Sequence, residues 1–131
     1  MIAIDTSVLI RYVTQDDPKQ SRQANRLFES TLSESYPGYL SLLVLAEFHW
    51  VLRRRYGFAG VEIAEAIRRL LAVPTIVVDK SEVVEAALVD EAGDFADRLI
   101  HYLGAAAGCE RTLTFDRKFA RLPGVEVVKS S

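Results

Sequence analysis

Short apolar runs alternate along this chain with longer stretches of helical spacing. Met1-Ile2-Ala3-Ile4 is apolar on both faces, which predicts a buried strand of a parallel sheet. A short helix is expected at residues 7–12. Asp17-Pro18 marks a second helix start, with an acid at the N-cap and proline at the first helical position. Beyond it Ala24, Leu27, Phe28, Thr31 and Leu32 recur at helical spacing. Pro37-Gly38 reads as a turn, followed by a short strand at residues 39–41. Residues 42–56 form a strongly apolar helix ending in Arg53-Arg54-Arg55, which suits the negative end of the helix dipole. Gly57 closes it. A partner helix spans residues 61–72, and Pro74 stops it. Residues 75–78 are a strand. A helix from Ser81 breaks at Gly93, and another covers residues 94–107 until Gly108. Two strands follow, at residues 111–115 and 124–128. Strands alternating with helices in this way predict an α/β fold with a parallel sheet covered by helices.

Composition narrows the picture. Half of the 131 residues are hydrophobic, enough for a real core and too many for a disordered chain. The size is that of one ordinary domain, residues 1–131, without repeats or linkers. With 16 basic and 18 acidic residues the net charge of −2 carries no nucleic-acid signal by itself. If a metal screened four of the acids, the remaining surface would be mildly positive, which is compatible with a polyanionic substrate. Cys109 is alone, so neither an intrachain disulfide framework nor a thiolate metal site is expected. Asp5 interrupts the N-terminal apolar run at once, so no signal peptide is expected. No apolar run approaches the roughly 20 residues of a membrane span. A cytoplasmic protein is the simple reading.

Five carboxylates stand out because they fall where burial would be costly. Asp5 ends the first apolar run. Glu47 interrupts Leu42-Leu43-Val44-Leu45-Ala46, with Val44, Leu43 and Val51 at helical spacing around it, so it is expected on a core-facing stripe. Asp94 and Asp97 open a helix three residues apart. Asp116 follows Thr112-Leu113-Thr114-Phe115. No lysine or arginine lies in the runs beside Asp5 or Glu47 to pair with them. A divalent cation gathering such hard oxygens, Mg²⁺ or Mn²⁺, would offset the repulsion. Asp5 and Asp116 both follow strands, where open parallel sheets bind ligands. Each acid also has a structural reading: an N-cap for Asp5, a buried arginine partner for Glu47, a turn for Asp116, and an N-cap with its N3 partner for Asp94 and Asp97. Those last roles keep both ionised, as a metal requires. The histidines, His49 and His101, stand at no ligand spacing and are read as packing or surface residues. Phe28, Phe48 and Trp50 read as core or interface residues, and the arginine run as a solvated helix end.

Asp5-Thr6-Ser7-Val8-Leu9-Ile10 resembles the opening of PIN-domain ribonucleases. Leu45-Ala46-Glu47-Phe48-His49-Trp50-Val51-Leu52 resembles that family's second acidic motif. Asp94-Phe95-Ala96-Asp97-Arg98-Leu99-Ile100 resembles the third, and Thr114-Phe115-Asp116-Arg117-Lys118-Phe119 the fourth. The likeness spans nearly the whole chain, and length and motif order resemble VapC-like toxins of bacterial toxin–antitoxin pairs. The resemblance implies a PIN-like three-layer sandwich, with a central, mostly parallel sheet covered by helices on both faces. It also implies a catalytic, metal-binding quartet of Asp5, Glu47, Asp97 and Asp116. Asp94 would assist the metal, and Thr6, Ser7 and Thr114 would support the site. Arg98 departs from the small residues that many relatives carry after the aspartate.

The expected reaction is hydrolysis of RNA phosphodiesters with Mg²⁺, Mn²⁺ being possible. Arg11, Arg98, Arg117 and Lys118 lie beside motif residues and are candidate phosphate contacts. The resemblance further implies a homodimer, an antitoxin protein as partner, and no membrane association. Rival readings are an RNA-processing or DNA nuclease without an antitoxin, and a non-catalytic binding domain of the same fold. A phosphotransfer receiver is a third, but it leaves Glu47 unexplained.

Overall fold

A computed structural model of the chain describes residues 1–129. It divides into two compact units, residues 1–79 and 80–131.

The first unit carries three short parallel strands, β1 (Ile2–Ala3), β2 (Gly38–Leu40) and β3 (Ile76–Val78), paired in the order β1-β2-β3. Helix α1 (Thr6–Thr14) follows β1 and is longer than expected, because Val13 and Thr14 continue its turn. The Asp17-Pro18 start behaves as read. The Asp17 side chain accepts from the Gln20 N–H at 2.9 Å, and Pro18 opens α2 (Pro18–Arg26). This helix then widens into a π-helical turn over Leu27–Thr31 that sequence spacing did not reveal. The wider turn keeps Phe28 buried and stacked on Tyr12, ring centres 4.2 Å apart.

Ser41 caps α3 (Leu42–Arg54) by accepting from the Val44 N–H at 3.2 Å. Helix α4 (Gly60–Leu71) completes the hairpin, with the Glu62 carboxylate accepting from the Ala59 N–H at 2.9 Å. The buried stripe of α3 is Leu45, Phe48 and Leu52. This corrects the expectation for Glu47, which is exposed together with Leu43 and Trp50. Because α3 is apolar nearly all round, its periodicity does not say which stripe faces inward. The choice falls on the residues that pack against α1 and α4.

The second unit pairs two strands in parallel, β4 (Thr112–Thr114) with β5 (Val125–Val127). Helices α5 (Ser81–Val89) and α6 (Phe95–Ala106) pack on each other, and Val84, Ala87, Phe95 and Leu99 on them are buried. A 3₁₀ turn at Phe119–Arg121 seats Phe119 beside Leu122 and Val125 in a small cluster. His101 is buried, and its Nδ1 lies 2.8 Å from the Thr112 hydroxyl, the packing role read for it. At Gly124 (φ 88°) a Cβ would come within 3.0 Å of the His101 ring, so glycine lets strand and helix approach.

The inward stripe of α3 has a direct test. Phe48→Ala should cost about 3–5 kcal/mol of unfolding free energy, whereas Leu43→Ala should stay within about 0.5 kcal/mol of the parent. Denaturant titration of both variants measures this, and comparable losses would mean that the helix presents a different face.

Candidate functional site

Asp5 stands at the N-cap position of α1 with extended backbone, φ −78° and ψ 155°, yet its side chain makes no hydrogen bond of capping geometry. Its Oδ2 instead accepts from the Ser7 hydroxyl at 2.8 Å. That bond, with the backbone N–H groups of Ser7 and Thr6 acting in the same direction, holds the carboxyl below the usual carboxylate range. Asp5 is exposed and ionised at neutral pH. Thr6, one residue on, is buried and donates its hydroxyl to Glu47 Oε1. This bond between α1 and α3 ties Glu47 to the segment that carries Asp5. The buried-arginine alternative for Glu47 therefore fails: its partner is a hydroxyl.

In the second unit, Asp94 and Asp97 form the reciprocal cap that their spacing suggested. The Asp97 N–H donates to Asp94 Oδ1 at 2.8 Å, and the Asp94 N–H to Asp97 Oδ2 at 3.2 Å. Asp116 Oδ1 accepts from the N–H groups of Lys118 at 2.8 Å and Phe119 at 3.2 Å, so the turn reading is met. The Thr114 hydroxyl accepts from the Asp116 N–H at 3.0 Å. Asp97 is the one half-buried acid of the group. Partial burial pushes its carboxyl above the usual range, and the charges of Asp94 and Asp116 push the same way against one opposing backbone hydrogen bond. Gly93 (φ 73°) lies against it, where a Cβ would meet Asp97 Oδ2 at 3.1 Å and the Phe119 backbone at 3.3 Å.

The expectation of costly burial is thus corrected. Asp5, Glu47, Asp94 and Asp116 are exposed. Within neither unit do three acidic, histidine or cysteine side chains, among the described residues, form a ready metal cluster. The donors nevertheless suit a hard divalent cation in kind: they are carboxylate oxygens, and Asp97 already carries repulsion that a cation would relieve. The ion pairs Arg11–Asp16, Arg69–Glu65 and Arg111–Glu126 all engage other acids.

The basic residues separate into two kinds. Arg98 is half-buried and donates to the carbonyls of Ala87 at 2.6 Å and Gly93 at 2.9 Å. Through these bonds the guanidinium fastens the loop before α6, a role its reading as a phosphate contact did not include. Arg11 is engaged with Gln20 at 2.7 Å and with Asp16 and Tyr56 at 3.4 and 3.3 Å. It lines a groove with Ser7, Val8, Gln20 and Gln23. Arg117 and Lys118 are exposed, as a phosphate contact requires. The network around Arg11 escaped sequence reading, since Tyr56 stands 45 residues away.

The raised Asp97 carboxyl fixes the sign of a pH effect. The folded state binds the proton more tightly than the unfolded chain, so this group favours folding at low pH. That contribution is lost as pH rises through the folded pKa. Without metal, Asp97→Asn should melt at or above the parent temperature at neutral pH. The difference should shrink below the ordinary carboxylate range. Thermal melts in chelator at both pH values check this, and a variant less stable at neutral pH would contradict it.

Comparisons with known proteins bear on the whole chain. No curated protein matches it. A solved structure that does match is that of the sarcin–ricin-loop-cleaving toxin VapC20 of Mycobacterium tuberculosis. It is 26% identical, with 97% of this chain and 98% of that one covered and a TM-score of 0.45. Among the described residues, no helix is long and apolar enough to cross a membrane. The model of the PIN domain matches residues 2–125, and with nearly its full length accounted for, the chain belongs to the PIN-domain family, whose fold is mixed α/β with parallel strands.

Proposed function

We propose that this chain is a metal-dependent endoribonuclease that hydrolyses RNA phosphodiester bonds and acts as the toxin of a toxin–antitoxin pair. PIN domains are nucleases. The observation that carries the reading is how the acids are held. Asp5 and Glu47 are oriented by the hydroxyls of Ser7 and Thr6, and Asp97 shares its surroundings with Asp94 and Asp116. A salt bridge would neutralise Asp5 or Glu47, whereas the hydroxyls of Ser7 and Thr6 only orient them. These keep oxygens available to a ligand.

The proposed metal ligands are Asp5, Glu47, Asp97 and Asp116, with Asp94 assisting and Mg²⁺ or Mn²⁺ as the ion. When bound, such an ion acidifies water and neutralises charge that builds on the scissile phosphate. The chain's own contributions are distinct. Ser7 keeps Asp5 ionised. Thr6 fixes the rotamer of Glu47, and Thr114 holds the backbone that presents Asp116. Any of the carboxylates not saturated by the ion would accept a proton from the attacking water. Arg117 and Lys118 are the proposed phosphate contacts, with Arg11 available in part. Further parts of the proposal are a single PIN domain over residues 1–131, a homodimer, a cytoplasmic setting, and an antitoxin whose basic side chain reaches the acids.

Asp5→Asn and Glu47→Gln should abolish RNA cleavage while leaving the melting temperature close to the parent's. Chelator should stop the parent enzyme, and added Mg²⁺ should restore it. Gel-resolved cleavage of total RNA measures all three, and full activity in either variant would remove the claim. Thr6→Val, which loses only the hydroxyl bond to Glu47, should lower activity about 10–100-fold, and Thr6→Ser should recover most of it. For the toxin role, induced expression should arrest growth, Asp5→Asn should not, and co-expression of a neighbouring small reading frame should relieve the arrest. Growth unaffected by the active protein would leave a housekeeping nuclease.

A further inference from the structure

We propose that Trp50 and the arginines beyond it on α3 form a stacking platform for an unpaired base of the RNA, next to Glu47. The proposal rests on the ribonuclease reading and adds where the substrate lies. Trp50 is 53% exposed, although a tryptophan in so apolar a helix would be expected in the core. It lies three residues after Glu47, so the indole and the carboxylate share one face, about 4.5 Å apart along the axis. Leu43 and Arg54 complete that exposed strip at helical spacing. The Arg55 guanidinium sits over the indole, 5.9 Å from the ring centre. Arg53 is turned back onto the Phe58 carbonyl at 3.2 Å. The platform is therefore the indole with Arg55 over one face and Arg54 on the same strip.

The chemistry of the strip selects among occupants. Tryptophan and arginine serve protein interfaces too, but glutamate is depleted there, and Glu47 on this strip is the carboxylate proposed to hold the metal, which an RNA substrate must reach. Single-stranded nucleic acid asks for an aromatic face for the base and guanidinium groups for stacking and phosphate. The base would lie one helical turn from the carboxylate proposed to hold the metal. An unpaired nucleotide beside the scissile phosphate suits that spacing, whereas a continuous duplex offers no base to stack.

Trp50 is the only tryptophan of the chain, so its emission reports this face alone. The full-length Asp5→Asn protein should be titrated with a short single-stranded oligoribonucleotide. Saturable quenching of the indole is expected. Trp50→Ala should weaken RNA binding about tenfold, and in the otherwise unaltered enzyme should raise KM with little change in kcat. Trp50→Phe should retain most of the affinity. If the parent cuts RNA and Asp5→Asn binds it while the emission stays unmoved and Trp50→Ala changes nothing, the platform is refuted and the ribonuclease reading stands. Emission that follows protein concentration and ignores RNA would assign the face to a second copy and equally overturn the proposal. RNA neither bound nor cut would remove the ribonuclease reading, and the platform with it.

Discussion

Carboxylates held in fixed directions by hydroxyls and backbone N–H groups are the constraint from which the account of this protein grows. A hydroxyl or backbone N–H can orient a carboxylate oxygen, but it cannot cancel its charge. Asp5 and Glu47 receive hydroxyl bonds from Ser7 and Thr6, and Asp97 and Asp116 receive backbone N–H groups. The strain shows itself at Asp97, where partial burial, and then two neighbouring acids, raise the carboxyl's affinity for a proton. In kind, carboxylate oxygens such as these suit a hard divalent ion.

The local devices that build this arrangement were legible where they depend on near neighbours. The Asp17-Pro18 start, the reciprocal bonds of Asp94 and Asp97, and the turn at Asp116 follow from spacings of one to three residues, and each is present. What depends on tertiary choice was not legible. Helix α3 is apolar on most of its circumference, so the sequence allowed Glu47 to face inward, and the packing of Phe48 and Leu52 put it outside. The π-helical turn after α2 left no signature, because Leu27 and Phe28 satisfy either helical period. Arg98 looked available because the carbonyls it binds carry no sequence signal.

The exposure of Glu47 changes the meaning of its helix. A core-facing glutamate would have implied a closed metal pocket. An exposed one, on a strip with Leu43, Trp50 and Arg54, makes α3 a surface that a long polymer can approach. The same rotation that places Phe48 in the core thus sets the acid and the indole side by side, and it links a packing preference to where substrate would lie. Thr6 is the hinge of that relation, being buried itself and bonded to an exposed carboxylate.

Mn²⁺ binding read by electron paramagnetic resonance addresses the central claim without depending on any RNA. The signal of free Mn²⁺ should fall as folded protein is added, saturate, and be restored by competing Mg²⁺. Variants carrying Asp116→Asn should bind more weakly. A free-ion signal untouched by the folded protein would contradict the account, because the acids would then carry their charge without any cation to answer it.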